Sequence, residues 1–226
     1  MKKVLVIAAH PDDEVLGMGG TIAKMVDLGY EIHLLIVTDG STSQYKGCHN
    51  INKIIAEKRV ETKKCAEILG IQTILYGNLP DMKLDVVPHI DVNTVIEQAI
   101  DEIKPTIVFT HFFGDVNLDH QCVYRSTMVA TRPAYGQSVR EVYCYAVPSS
   151  TEWNGNLPVS TMMSNVFVDI SDYREKKYNA FEEYKTEVRD YPHPRSIQYL
   201  EQCDTVRGLK VGLASAEEFL LVRKLI

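Results

Sequence analysis

Lys3-Val4-Leu5-Val6-Ile7-Ala8-Ala9-His10-Pro11-Asp12-Asp13-Glu14 decides how this chain folds. Lys3 to Ala9 is a short apolar run rich in β-branched residues, the composition of a strand buried on both faces. It passes without a spacer into a polar turn and then into a helical pattern, Val15 to Leu28, with Leu16, Ile22, Met25 and Val26 roughly on one side and Gly29 closing it. Outward from this unit the alternation recurs. Glu31 to Thr38 is predicted as the second strand, Asn50 to Leu69 as a helix C-capped by Gly70, and Thr73 to Tyr76 as a short third strand. Asp91 to Ile103 is a helix stopped by Pro105, Thr106 to Thr110 the fourth strand, and a helix resumes near Asp119. Glu141 to Val147 and Asn165 to Ile170 are further strands, separated by a turn-rich loop from Pro148 to Pro158. Asp172 to Val188 and Ile197 to Arg207 are helical, and Glu217 to Ile226 is open between strand and helix. Such alternation specifies an α/β fold, a Rossmann-like, mostly parallel sheet with helices on both faces. With no repeat or linker to divide it, residues 1–226 are expected to form a single domain.

Composition narrows the function. The 226 residues carry 24 Lys and Arg against 30 Asp and Glu, a formal charge of −6, and no basic cluster of the kind that neutralises phosphates, so nucleic acid is excluded as a partner. The apolar runs fall far short of the roughly 20 residues of a membrane span. His10, Asp12, Asp13 and Glu14 interrupt the first of them before a signal-peptide core develops, so a cytoplasmic location is expected. Five cysteines, Cys48, Cys65, Cys122, Cys144 and Cys203, without a C-x-x-C pair, are read as free thiols.

In open parallel sheets ligands bind outside the carboxyl ends of the strands, so the loops after strands one, two and four carry the chemistry. After strand one, an imidazole and three carboxylates crowd into one turn, and no Lys or Arg lies between Val4 and Ile22. Charges so close together need solvent, a basic partner, a shared proton or a metal. Capping explains single members: Asp12 or Asp13 as helix N-cap, Glu14 on the helix dipole. It does not explain the pair His10 and Asp13, whose nitrogen and oxygen can converge on one ion across a turn pinned by Pro11. Gly17-Met18-Gly19-Gly20 follows the strand too late for a dinucleotide fingerprint, and carboxylates hold the place where pyrophosphate would sit. Those glycines are expected to let the helix pack closely. After strand four, His111-Phe112-Phe113-Gly114-Asp115-Val116-Asn117-Leu118-Asp119-His120 is the second polar concentration. His120 is a natural third ligand, with Asp119 a buttress or a helix cap. A plain Asp/Asn turn is the competing interpretation.

The chain resembles the PIG-L/LmbE-like family of zinc-dependent N-deacetylases. The resemblance is carried by Ala9-His10-Pro11-Asp12-Asp13-Glu14 with the glycines after it, by Asp115-x-Asn117-x-Asp119-His120, and by Arg59, Ala66-x-x-Leu69-Gly70, His193-Pro194-Arg195-Ser196 and Arg207-Gly208 through Phe219. It implies one divalent metal per chain, zinc or another, held by His10, Asp13 and His120, with Asp12 as general base. It also implies hydrolysis of an acetamide on an amino sugar or glycoconjugate, and Arg59, Arg132 and Asp81 near the substrate. Asp81 is equally an ordinary turn residue, and Trp153, alone in the chain, is a lid over a sugar ring or an anchor for its loop. Asn117 departs from the pattern, because family members carry a His there that serves the oxyanion or the leaving amine. Asn117 is then left as a substrate contact, and the proton falls to His193, to His111 or back to Asp12. The same departure keeps open a non-catalytic metal- or carbohydrate-binding protein. A homo-oligomer is neither required nor excluded.

Overall fold

The computed structural model describes residues 2–40, 50–155 and 161–226; Cys48 and the Pro158 end of the long loop lie outside them. Seven strands and six α-helices follow in the order β1 (Lys3–Ala8), α1 (Asp13–Asp27), β2 (Glu31–Thr38), α2 (Ile51–Leu69), β3 (Thr73–Leu79), α3 (His89–Ile103) and β4 (Ile107–His111). Then come α4 (Leu118–Ala130), β5 (Glu141–Tyr145), β6 (Val166–Asp169), α5 (Arg174–Glu182), α6 (Ile197–Leu209) and β7 (Ala216–Lys224). The strands form one sheet in the order β3-β2-β1-β4-β5-β7-β6. β3, β2, β1, β4 and β5 run parallel, and β7 inserts antiparallel between β5 and β6.

Alternate residues of each central strand feed different cores. Val4, Val6, Ala8, Ile32, Leu34 and Ile36 pack with residues of α1, α2, α5 and α6. Leu5, Ile7, Ala9, Leu35 and Val37 pack with α3 and α4. Burial on both faces is why these strands are apolar without alternation. The predicted α/β sheet with helices on both faces is the fold observed.

Several boundaries differ. The last segment is a strand, with Phe219 buried in the first core. β3 runs to Leu79, and β5 stops at Tyr145, after which a 3₁₀ turn, Thr151–Asn154, forms within the predicted loop. The fifth helix ends at Glu182, so Glu183 to Val188 leave it as turns and carry Glu187 toward the sheet's carboxyl edge. α1 starts at Asp13 and is broken at Met18, whose φ of −154° is not helical. The break frees the Gly20 and Thr21 N–H groups, which donate to the Glu217 carboxylate at 3.1 and 2.6 Å. Lys177, fully buried, neutralises Glu217 at 2.8 Å and Asp204 at 2.9 Å. The glycines pack as predicted: a Cβ at Gly17 would overlap the Tyr145 ring, and one at Gly20 would stand 2.8 Å from Ile170.

Between β1 and β4 the chain changes direction across the sheet, since β2 and β3 add to one side and β5 to the other. The carboxyl ends of these two strands flank the crevice that such a reversal leaves. Both polar loops open there.

Candidate metal centre and active site

The turn after β1 is held by its own side chains. The His10 N–H donates to Asp13 Oδ2 at 2.8 Å, and the Asp12 N–H donates to Glu14 Oε2 at 3.2 Å. Asp12 sits in the left-handed region, with φ 107°, which costs a non-glycine residue of order 1–3 kcal/mol and is typical of sites whose surroundings over-determine them. The strain turns the Asp12 carboxylate away from α1, where it makes no capping bond, and its buried Oδ2 has no hydrogen-bond partner. Arg195 Nη1 lies 3.4 Å from that oxygen.

Across the crevice, α4 starts at the sequence's polar loop. Its N-cap is Asn117, whose side-chain oxygen accepts from the Asp119 N–H at 2.9 Å. Asp119 is therefore free to buttress: it accepts from the Met82 and Leu84 N–H groups at 2.7 and 2.9 Å and meets His10 Nε2 at 3.1 Å. Asp81, buried, lies 3.1 Å from the same His10 nitrogen. On the other imidazole, His120 Nδ1 lies 3.1 Å from Asp115, which also accepts from Thr151 Oγ1 at 2.6 Å and from Ser150 Oγ. Each ring thus has a carboxylate behind it and presents its remaining nitrogen forward. These two nitrogens, His10 Nδ1 and His120 Nε2, are 3.2 Å apart and lie 3.3 and 3.4 Å from Asp13 Oδ2.

The donor set suits a divalent metal. Two imidazole nitrogens and a carboxylate oxygen lie within 4.8 Å of one another, and carboxylates behind both rings are the usual means of orienting metal-bound histidines. The electrostatics agree. Burial opposes a charge on His120, yet Asp13 and Asp115 carry its pKa up to about 9, so the field draws a cation to this nitrogen. For Asp13, burial works against the charge, but His120 and His111 hold the carboxyl well below its ordinary range. His10, Asp81 and Asp119 form a second close group around His10 Nε2, in which Asp119 is committed to two backbone N–H groups.

His111, one of the candidates for the proton, ends β4. Its Nε2 accepts from the Ala9 N–H at 2.8 Å, its ring stacks on His120 at 3.9 Å, and burial with His120 lowers its pKa to about 4. It is fully buried and is not among the described residues that line the cleft.

A cleft of about 70 Å³ is lined by His10, Asp12, Asp81, Met82 and Asn117 together with Gly40, Lys58, Glu187 and Arg195. Of the predicted substrate residues, Asp81 and Asn117 are there. Arg59 is not among its lining residues: it lies 4.7 Å over the Tyr76 ring and donates to Asn78 Oδ1 at 2.6 Å, while its neighbour Lys58 faces the cleft. Arg132 caps the far end of α4, donating to Val129 O at 3.1 Å. Twelve residues beyond His120, it stands about 18 Å along the helix from that ring, at the strands' amino ends. Trp153 is 57% exposed and meets His193 edge-on at 6.4 Å. His193 Nδ1 accepts from the Arg195 N–H at 3.0 Å. Burial and the guanidiniums of Arg195 and Arg189 pull His193 below its ordinary pKa, and it is not among the residues lining the cleft. Arg195, Lys58 and Glu187 were missed. Arg195 stood in a quoted motif, but Lys58 and Glu187 are charged residues in helical patterns, with no local signal.

Residues 5–131 match the family described as PIG-L: GlcNAc-PI de-N-acetylase, and the matched segment holds both polar loops. The chain belongs to this family. A diacetylchitobiose deacetylase of Thermococcus kodakarensis is 30% identical over 195 residues, 83% of this chain and 70% of that one. A 4-oxalmesaconate hydratase of Pseudomonas putida is 26% identical over 200 residues, 80% of this chain and 72% of that one. Among solved structures, the N,N'-diacetylchitobiose deacetylase from Pyrococcus horikoshii shares the fold, with a TM-score of 0.80 at 24% identity over 98% of this chain and 84% of that one. The family's relatives thus include deacetylases of N-acetylated sugars.

Proposed function

We propose that this chain is a metal-dependent N-deacetylase that hydrolyses the acetamide of an amino sugar or of a small molecule carrying one. The observation that carries it is the convergence of His10 Nδ1, His120 Nε2 and Asp13 Oδ2 beside an Asp12 carboxylate that faces the cleft. His10, Asp13 and His120 would hold the metal, zinc being the ion this donor set suits best. A metal there supplies Lewis acidity, lowering the pKa of water toward about 7 and polarising the amide carbonyl.

The chain's own residues do the rest. Asp12 takes the proton of the attacking water at its unpartnered Oδ2 as the oxygen bonds to the carbonyl carbon. When the carbon–nitrogen bond breaks, its electron pair stays on nitrogen and Asp12 returns the proton there. This assigns both transfers to Asp12, since His193 is not among the described residues that line the cleft and Asn117 has no acidic proton. Burial, which raises the Asp12 pKa well above the carboxylate range against the pull of Arg195, favours a group that carries a proton between steps. Asn117 and Asp81 orient the substrate at the cleft wall.

The test is acetate release from N-acetylglucosamine and N,N'-diacetylchitobiose by metal-loaded protein. Asp12→Asn is expected to lose at least about 100-fold in kcat while retaining its metal. Full activity in the metal-free protein overturns the proposal. Metal binding without acetate release by the wild type favours a binding protein instead.

A further inference from the structure

Resting on the deacetylase proposal, we infer that Glu187 makes the cleft selective for uncharged amino sugars over those bearing a phosphate or carboxylate. Two cations, Lys58 and Arg195, stand among the described residues lining the cleft, and cationic side chains would ordinarily mark it as an anion site. Both are committed. Lys58 Nζ and Arg195 Nη1 donate to the two oxygens of the Glu187 carboxylate, Oε1 and Oε2, from opposite sides. Arg195 further spends Nε on Ser149 Oγ at 2.8 Å and approaches Asp12 at 3.4 Å. Lys58 also reaches Thr186 Oγ1 at 3.3 Å. Lys58 and Glu187 are nearly fully buried, so water screens this pairing little.

With His10 given to the metal and Asp12 to the proton transfers, the described wall sets Asp81 and Glu187 against Lys58 and Arg195, so it offers no net positive charge. Behind it Asp13, Asp115 and Asp119 surround the two histidines and compensate a bound metal's charge. An entering phosphate or carboxylate therefore meets carboxylates, and among the described lining residues no cation is uncommitted, whereas a sugar hydroxyl can donate to Asp81. Arg59, which the family resemblance puts near the substrate, is turned onto Tyr76 and Asn78. Like charges at short range are an effective means of rejecting a wrong partner.

The experiment measures equilibrium binding of glucosamine and of glucosamine 6-phosphate to the zinc-loaded full chain by titration calorimetry, alongside acetate release from their N-acetyl forms. The wild type is expected to favour glucosamine over its 6-phosphate, which differs only by the added anion, at least about tenfold. Glu187→Gln, which keeps shape and removes charge, is expected to narrow that ratio at least threefold, and Glu187→Asp to retain it. Lys58→Gln, which strips a cation from the same wall, is expected to widen it. Equal or tighter binding of the phosphate by the wild type overturns the inference, as does a ratio that Glu187→Gln and Lys58→Gln both leave unchanged. Because the binding ratio is read without turnover, an absence of acetate release counts against the deacetylase proposal alone.

Discussion

At the scale of single residues, the centre depends on groups that never touch substrate. Asp115 is held near pKa 2 by His120, Ser150 and Thr151 despite its burial, so it stays charged behind His120 at any working pH. Asp115→Asn removes that charge and is expected to weaken metal affinity by about 10–100-fold, read by competition with a chelator. Unchanged affinity would show that Asp115 serves only the loop. A second residue tests pH. His33 on β2 is buried with neither ring nitrogen hydrogen-bonded, and burial lowers its pKa. The unfolded chain then binds the extra proton first, so stability is present above about pH 6.5 and falls as pH drops below it. His33→Gln is expected to flatten that acid limb, measured as urea midpoints at pH 7.5 and 5.5; an unaltered difference between the two pH values contradicts the assignment.

At the scale of elements, α1 must begin at the metal turn and still lie flat on the sheet, and the break at Met18 reconciles the two. Glu217 caps the resumed helix and Lys177 neutralises it, linking α1, α5, α6 and β7 in one buried network. Glu217→Ala leaves two N–H groups without acceptors and part of the Lys177 charge unmatched. A loss of about 3–5 kcal/mol is expected in chemical denaturation, with the network's other end, Asp204, still in place. A loss under 1 kcal/mol would mean that water enters the break. β7 itself was ambiguous by pattern, because a strand covered on one side and paired on both edges carries charges and apolar residues in no clean period, as in Ala216-Glu217-Glu218-Phe219.

At the scale of the whole molecule, the centre joins loops from β1 and β4, the two strands flanking the point where the topology reverses. A metal bound there ties the two sides of the sheet together and binds only the folded chain. At a free concentration about 100 times its Kd it stabilises by about 2.7 kcal/mol. For a chain of this size that raises Tm by roughly 5–10 °C. Thermal unfolding with zinc and after chelation measures it, and identical Tm values would remove the metal from the centre.

The sequence by itself determined the α/β class, because strands buried on both faces must be continuously apolar and helices on a sheet must repeat near 3.6. It also singled out His10 and Asp13, because a lysine-free crowd of ligating groups at a strand end is a local signal, and His120 in the second polar loop, while the family resemblance added the role of Asp12. The tertiary structure alone decided the rest of the cleft. Arg195, Lys58 and Glu187 come from three separate segments and meet only where α2 and the turns after α5 fold over the carboxyl edge. Arg59 and Arg132 fell outside for the same reason. A residue's distance from the centre depends on helix phase and on which end of the sheet its segment reaches, and long-range packing sets both.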